Sequence, residues 1–291
     1  MRRVDVHPPA LAVRAAVAMA LAEDLLPLGD ITAALLEPGA MGQAFFVARK
    51  AGVLAGTAPI TETFAQVDPE VAVELALDDG DELQPGTVIG VVRGPLASIV
   101  TAERTALNFC CHLSGVATLT ARFVALALKA NPAARVWDTR KTTPGLRSLE
   151  KAAVRAGGAV NHRGNLSEGV LLKDNHLGGL SITEAVELSM ARWPGRMVEV
   201  ECDRLEQVIE AARAGATLVL CDNMTPDQVG QAVALVREHA SSRCLVEASG
   251  NVNLDTVASY AAAGADVISA GALTHSAPIL DIGLDLEAPR V

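Results

Sequence analysis

The stretch ARVWDTRKTTPGLRSLEKAAVRAGGAVNHRGNLSEGVLLKDNH, residues 134–176, sets the pattern on which the fold prediction rests. Short apolar runs occupy 134–139, 158–161 and 169–173, and a run of helical composition at 145–156 follows the first of them. Near-continuous apolar strands that alternate with helices are typical of parallel sheets, because both faces of such sheets are buried. The stretch therefore predicts an α/β architecture with parallel strands.

The same alternation continues downstream. Four more strands are predicted at 196–201, 217–222, 244–248 and 266–270, and the intervening helices are predicted at 181–192, 204–214, 226–239 and 253–263. Seven strands packed into about 140 residues suit a barrel better than an open sheet. In α/β barrels the chemistry lies at the carboxyl ends of the strands, so these ends are the place to look for a site.

The region before Leu96 predicts a small α/β unit. Its helices are expected at 10–24 and 57–66, and its strands at 42–54, 71–77 and 87–94. Residues 96–131 predict two helices, broken at Ser114 and Gly115. We expect an N-terminal domain over 1–112, joined by a returning segment at 276–291, and a barrel domain over 113–275.

The composition narrows the choice of partners. The formal charge of -10 argues against nucleic acid. No apolar run approaches the about 18 residues of a membrane span, so no membrane partner is expected. The five cysteines form an odd set without a C-x-x-C motif. Buried thiols of this kind indicate a reducing compartment, so we expect a cytoplasmic protein.

One part of this acidic chain carries the opposite charge. Residues 138–176 hold seven lysines and arginines against four acidic residues. Cations follow the first three predicted strands, and carboxylates, including Glu199 and Glu247, lie in later ones. The strand-end residues singled out as candidates are Thr139, Arg140, Lys141, His162, Arg163, Lys173, Glu201, Asp222, Ser249, Gly250, Asn251, Ala270, Gly271 and Ala272.

These residue types suit different parts of one ligand set. Arginine forks and lysines bind carboxylates or a pyrophosphate. Glu201 and Asp222 are oxygen ligands suited to Mg²⁺ or to ribose hydroxyls. Small residues after the last strands let backbone N–H groups approach a phosphate. Any single member could equally be a structural ion pair. Together they describe an activated phosphoribosyl donor and an anionic acceptor.

Several motifs resemble one family. DTRKTTPGLR (138–147), NHR (161–163), LLKDNH (171–176), EVEC (199–202), LCDNM (220–224), EASGNVNL (247–254) and SAGALTHS (269–276) look like those of the quinolinate phosphoribosyltransferases, and EDLLPLGDIT (23–32) and TAERTALNF (101–109) do so as well. The resemblance covers nearly the whole chain, with the motifs in the family's order. It implies an N-terminal open α/β sandwich, a C-terminal incomplete seven-stranded α/β barrel and a homodimer.

The resemblance also implies a reaction and roles for the candidates. The family transfers phosphoribosyl from 5-phosphoribosyl 1-pyrophosphate to quinolinate with decarboxylation, and requires Mg²⁺. By resemblance, Arg140, His162 and Arg163 bind the quinolinate carboxylates, and Arg104 reaches the site from the other subunit. The remaining roles are implied in the same way: Lys141 and Lys173 face the pyrophosphate as catalytic residues, Glu201 and Asp222 act in catalysis and hold ribose and metal, and residues 249–251 and 270–272 take the 5-phosphate.

Other functions stay open at this point. A paralogue found with molybdate-transport genes shares the fold and much of the site, and a nicotinate-specific relative would need fewer arginines. A Schiff-base aldolase would use Lys173, and a phosphate-ligand sensor would use no chemistry at all. Cys111 and Glu168 depart from the family's usual residues. Neither is assigned to ligand contact, so they put local packing in question more than activity.

Overall fold

The computed structural model describes residues 6–287 and divides the chain into two compact units. One unit comprises the residues up to 121 together with 142–158 and the segment from 276 onward. The other comprises 122–141 and 159–275. The domain boundaries predicted at 112/113 and 275/276 stay a prediction, and residues 1–5 and 288–291 of those domains lie outside the described part.

The N-terminal unit contains an antiparallel sheet and helices. Its helices are α1 (Ala10–Leu25), α2 (Thr57–Val67), the larger part of α3 (Leu96–Ala130), α4 (Arg147–Ala156) and a 3-10 turn at Ala33–Leu35. Its strands are β1 (Met41–Ala48), β2 (Gly52–Val53), β3 (Ala72–Leu75), β4 (Glu82–Leu83), β5 (Val88–Pro95) and, from the far end of the chain, β12 (Ile282–Leu286). Four strands form a sheet in the order β12-β1-β5-β3, and β2 pairs with β4.

Side-chain periodicity explains these elements. Helix α1 buries Val13, Val17 and Leu21, which recur every four residues and so share one face. Strand β1 buries Ala44, Phe46 and Ala48 at alternate positions, as expected for a sheet with one covered face. The helix predicted at 10–24 is thus confirmed, with one buried face, although exposed Leu11 and Met19 make its outer face apolar as well.

Helix α3 runs unbroken from Leu96 to Ala130, so the break predicted at Ser114 and Gly115 is wrong. Both residues serve close packing. The Ser114 hydroxyl donates to the carbonyl and accepts from the N–H of Ala55, each at 3.0 Å. A side chain on Gly115 would lie 2.2 Å from the carbonyl oxygen of Pro278.

The same helix is the one element in the described chain with the length and apolar composition of a membrane span. Core helices of globular proteins share that composition. Its residues Ile99, Ala102, Ala106 and Cys110 belong to the buried core of the N-terminal unit, together with Phe46 and its neighbours. The apolar composition of α3 therefore has an explanation in packing.

The C-terminal unit is built on a parallel sheet. Its strands are β6 (Arg135–Trp137), β7 (Gly169–Leu172), β8 (Met197–Cys202), β9 (Leu218–Asp222), β10 (Leu245–Ser249) and β11 (Val267–Ser269), and its helices are the end of α3, α5 (Asp174–Leu177), α6 (Ile182–Arg192), α7 (Leu205–Ala214), α8 (Pro226–His239), α9 (Val257–Ala262) and α10 (Ala272–His275). The strand order is β6-β11-β10-β9-β8-β7, with every pair parallel.

The seventh predicted strand, at 158–161, is reduced to one bridge. Val160 pairs with Trp137 in β6 on the side away from β11. Among the described residues no ladder joins this bridge to β7, so the curved sheet stays open between its second and third strands. The chain therefore contains an incomplete α/β barrel and an α/β unit with an antiparallel sheet, and the predicted fold class is confirmed. All six parallel strands end at the same rim, which positions the site.

Candidate active site

A cavity of about 590 Å³ opens at the carboxyl ends of the parallel strands. It brings together eleven of the predicted residues: Thr139, Arg140, Lys141, His162, Arg163, Lys173, Glu201, Asp222, Ser249, Gly250 and Asn251. Leu171, Leu220, Asn223, Glu247 and Ser269 complete the lining. The cavity contains more polar than apolar surface, which suits a highly charged ligand.

Cations occupy the side formed by the first three strand ends. The Arg163 guanidinium donates to the carbonyl of Gly169 at 2.9 Å, so it crosses the open gap of the barrel. Burial lowers the pKa of Arg163, an effect that nearby Glu199 opposes. The Lys141 backbone is held at both ends, because its N–H donates to Thr139 Oγ1 and its carbonyl accepts from Thr274. The cations are thus set on a fixed backbone.

Two carboxylates stand at the ends of the paired strands β8 and β9. The Lys173 ammonium contacts the Glu201 carboxylate directly. Asp222 accepts a hydrogen bond from Asn223 Nδ2 at 2.9 Å and lines the cavity with Glu201. Carboxylate oxygens are the donors that Mg²⁺ prefers, so the pair fits such an ion chemically.

A tight turn follows β10 on the opposite side. Gly250 and Asn251 adopt left-handed conformations, with φ of 82° and 53°. A side chain on Gly250 would lie 2.3 Å from Asn223 Oδ1, so only glycine fits. Asn251 Nδ2 donates to the same oxygen at 3.0 Å, and the Ser249 and Ser269 hydroxyls lie 3.0 Å apart. The turn presents backbone N–H groups and hydroxyls, as a phosphate site requires.

Charged and polar residues also lie inside the barrel, deeper than the residues at the strand ends. Glu199 and Glu247 are fully buried, and His162 is 9% exposed. Burial raises the pKa of the Glu247 carboxyl to about 8, and the neighbouring Glu199 carboxylate adds to the rise. Asp138, also fully buried, accepts from the His162 N–H at 2.8 Å and from Asn161 Nδ2 at 2.7 Å. Asp138 therefore anchors the second strand end.

Four predicted residues are absent from the lining of this cavity in the described structure. Ala270 is buried at the end of β11, and Gly271 packs closely against the Lys141 and His275 side chains. Ala272 begins the short helix α10. Arg104 is exposed on the part of α3 that belongs to the N-terminal unit. Their roles in ligand binding stay predictions.

Sequence reasoning gave no role to Glu199, Glu247, Asn223 or Ser269. Glu199 and Glu247 each stand two residues before a predicted site residue, Glu201 and Ser249, on the same strand. Because alternate strand residues share a face, that spacing places them one layer deeper on the inner side. The signal was therefore present in the sequence.

This fold and cavity define a class of protein: α/β-barrel enzymes that bind phosphorylated, anionic ligands where their strands end. The sequence then identifies the group. Residues 30–114 match the model of the quinolinate phosphoribosyl transferase N-terminal domain, and residues 116–285 match that of the C-terminal domain. The chain belongs to the quinolinate phosphoribosyl transferase family.

Named relatives agree with this assignment. The probable nicotinate-nucleotide pyrophosphorylase [carboxylating] of Archaeoglobus fulgidus is 39% identical over 260 residues, which cover 89% of this chain and 98% of the relative. The nicotinate-nucleotide pyrophosphorylase [carboxylating] of Mycobacterium leprae is 41% identical over 282 residues, covering 94% and 97%. The structure of the nicotinate-nucleotide pyrophosphorylase from Francisella tularensis superposes with a TM-score of 0.90 at 34% identity, covering 97% of this chain and 99% of that one.

Proposed function

We propose that this protein transfers the phosphoribosyl group of 5-phosphoribosyl 1-pyrophosphate to quinolinate. One carboxyl group leaves as CO₂, and nicotinate mononucleotide and pyrophosphate are the other products. The observation that carries the proposal is a single cavity in which arginines, lysines, carboxylates and a glycine turn converge. Family membership and the names of the relatives support the same reaction.

The acceptor is assigned to the end with Arg140, His162 and Arg163. Quinolinate carries two adjacent carboxylates, and guanidinium forks bind carboxylates with two parallel hydrogen bonds. The charge of Arg140 lies near enough to Arg163 to contribute to the lowering of its pKa. Two close cations need a compensating anion, and a dicarboxylate supplies it. A monocarboxylate such as nicotinate would leave one arginine without that compensation.

The donor is assigned to the rest of the cavity. The turn at residues 249–251 holds the 5-phosphate, with residues 270–272 behind it. Lys141 and Lys173 face the pyrophosphate and stabilise its charge as it leaves. The ribose then develops positive charge at its anomeric carbon, which the Glu201 and Asp222 carboxylates stabilise. No side-chain nucleophile is required, because the pyridine nitrogen attacks directly.

Glu201 and Asp222 are also the proposed metal ligands. Mg²⁺, when bound, supplies positive charge to the ribose hydroxyls and the pyrophosphate. We infer that Lys173 holds Glu201 until donor and metal arrive, since the ammonium now contacts that carboxylate. Loss of Lys173 would then leave Glu201 buried in part and without its cation.

The proposal also covers the assembly and the location of the protein. We infer a homodimer in which Arg104 of one subunit completes the acceptor site of the other, because Arg104 is exposed on α3 and the family resemblance gives it that role. We also infer a cytoplasmic location, with neither nucleic acid nor membrane as a partner, from the charge of -10 and the reduced cysteines.

The direct assay supplies purified protein with quinolinate, 5-phosphoribosyl 1-pyrophosphate and Mg²⁺. Formation of nicotinate mononucleotide, measured with the release of CO₂, is the expected result. No product under these conditions would sink the proposal. Nicotinate offered in place of quinolinate tests the nicotinate-specific relative, and a quinolinate-inactive protein that accepts another anion would fit the molybdate-associated paralogue.

A Schiff-base aldolase is the competitor from another reaction class. A Schiff-base lysine needs its nitrogen free to attack a carbonyl, whereas the Lys173 nitrogen contacts the Glu201 carboxylate. Borohydride trapping with a carbonyl substrate checks this directly. A stable adduct on Lys173 would support the aldolase, and its absence is expected.

A further inference from the structure

Two glutamates lie where an α/β barrel normally packs aliphatic side chains. Glu199 on β8 and Glu247 on β10 are both 0% exposed, one layer beneath Glu201 and Ser249. Branched apolar residues usually fill such layers, since a buried carboxylate loses its hydration. Departures of this kind concentrate at functional sites, where another interaction offsets their energetic cost.

His162 is the group that these carboxylates face. Its Nε2 atom lies 3.0 Å from Glu199 Oε2 and 3.7 Å from Glu247 Oε2. Both distances are within ion-pair range, but neither contact has hydrogen-bond geometry, so the attraction between the ring and these groups is electrostatic. Trp137 packs edge-on against the imidazole with ring centres 5.3 Å apart. The imidazole ring therefore packs against Trp137 and faces the two glutamates.

The other ring nitrogen fixes the tautomer. His162 Nδ1 accepts the backbone N–H of Arg163 at 2.7 Å, so it carries no proton. The ring proton of the neutral imidazole then resides on Nε2, between the two carboxylates. A metal ion bound by all three side chains would need the Nε2 lone pair that this proton occupies. The hydrogen-bond pattern therefore favours an N–H group held by carboxylates over a metal centre.

We propose that Glu199, with Glu247 beside it, is a positioning residue for the acceptor end of the cavity. The Glu199 carboxylate, with the Glu247 carboxyl group beside it, attracts the Nε2–H group of His162, and Nδ1 of the same ring accepts the backbone N–H of Arg163. The Arg163 guanidinium lines the cavity and donates to Gly169. The inference rests on the proposed function, because it assigns Arg163 to quinolinate. His162 accordingly orients Arg163 and adds no positive charge of its own.

Substitutions at Glu199 test whether this residue acts on the acceptor end of the cavity or supports the fold as a whole. Leucine removes the carboxylate that faces Nε2–H and fills its space with apolar atoms, so no large cavity is left. For Glu199→Leu we expect the KM for quinolinate to rise about tenfold and the KM for the phosphoribosyl donor to change less than about twofold, because the lost contact acts on the acceptor end. Glu199→Gln keeps an acceptor oxygen and should retain most of the quinolinate affinity.

Two outcomes of the kinetics would overturn the proposal. One is a Glu199→Leu enzyme whose quinolinate KM stays within about twofold of wild type. The other is an equal rise of both KM values, which is the signature of general disruption. Glu210→Gln serves as the control, because Glu210 on α7 accepts from the Thr183 N–H and hydroxyl and has no place in the cavity lining. It should leave both KM values unchanged.

A spectroscopic measurement without substrate completes the test. Nitrogen-15 NMR of the histidine side chains, with His162 assigned through His162→Asn, reads the tautomer of the wild-type protein at neutral pH. We expect the neutral Nε2–H form in wild type and a mixture of tautomers in Glu199→Leu. A proton on Nδ1 in wild type would contradict the proposal. Because this reading needs no turnover, it stays distinct from a failure to form nicotinate mononucleotide.

Discussion

Arg140 tests the division of the cavity at the scale of one residue. Arg140→Ala removes a charged guanidinium from the end of the cavity assigned to quinolinate. We therefore expect the KM for quinolinate to rise by about tenfold to a hundredfold. The KM for 5-phosphoribosyl 1-pyrophosphate should change much less, since Lys141, Lys173 and the turn at 249–251 remain. Steady-state kinetics with each substrate varied in turn gives the comparison, and equal losses for both substrates would contradict the assigned role.

Gly250 carries the corresponding prediction for the donor. Alanine at this position places a methyl group 2.3 Å from Asn223 Oδ1, in a left-handed conformation that already costs about 1 kcal/mol. Because the turn must move, we expect the donor KM to rise at least about tenfold, with a smaller effect on quinolinate. Gly195→Ala is the matched control, since Gly195 has φ of 81° and open space around it. It should leave the donor KM unchanged.

Glu247 predicts how stability depends on pH. Its pKa rises from 4.5 to about 8 in the folded protein, because the charged form is buried. Below pH 4.5 the carboxyl is neutral in both states, and above that value only the unfolded chain releases the proton. The contribution of the neutral carboxyl to stability is therefore lost as the pH rises from about 4.5 to 8. The Tm of wild type should fall more steeply across this range than that of Glu247→Gln, and parallel curves would contradict this.

The single residues show what a sequence can and cannot predict. The sequence was sufficient to predict that the cavity contains Arg140, Lys141, His162 and Arg163. Each of them follows an apolar run, and the ends of parallel strands share one rim. The role of Glu199 could not be predicted from the sequence. It depends on which way His162 points and on the Arg163 N–H bonded to Nδ1, and neither follows from spacing. Alternation predicts the layer of a side chain but not its partner.

The packing of Gly115 predicts how helix α3 responds to an added side chain. In an isolated helix Gly→Ala stabilises by about 1 kcal/mol. Here the new methyl group would lie 2.2 Å from the Pro278 carbonyl oxygen and 3.0 Å from Ile279 Cα. Overpacking against backbone costs about 1–3 kcal/mol, so the clash should dominate and Gly115→Ala should lower the Tm. Thermal unfolding followed by circular dichroism measures this, and a raised Tm would show that the 276–280 segment moves aside easily.

The same helix explains one failure of prediction. Glycine in a periodic pattern signals either a break or a close approach, and only the distant Pro278 decides between them. Strand 158–161 failed for a related reason. Within residues 6–287 Val160 pairs with β6 alone, and no second strand on its other side extends the ladder beyond one bridge. The strands and helices of the parallel sheet matched closely, because periodicity within a segment reports burial of that segment.

Arg104 carries a prediction about the assembly of the whole molecule. If Arg104 serves the partner's site, Arg104→Ala and Arg140→Ala carry their defects in different subunits of a mixed dimer. One site of each mixed dimer is then intact. Random exchange makes half the dimers mixed, so mixing two nearly inactive variants should restore about a quarter of wild-type activity.

The control for this mixing experiment is exchange itself. Two differently tagged wild-type samples, mixed in the same way, must form doubly tagged dimers. Exchange without recovered activity would overturn the placement of Arg104 across the interface. A protein that elutes as a monomer at assay concentration would overturn the dimer.

Strand β12 has a consequence for how the protein is made. It pairs along β1 from Ala44 to Ala48, and Leu280 and Ile282 enter the same core as Phe46. Residues 49–281 are translated between the two strands. During that interval β1 has no neighbour on one side, and an unpaired strand edge is a template for association with other chains. The nascent chain can complete its parallel barrel first, whereas its first-synthesised sheet waits for the ribosome to deliver one of the last segments.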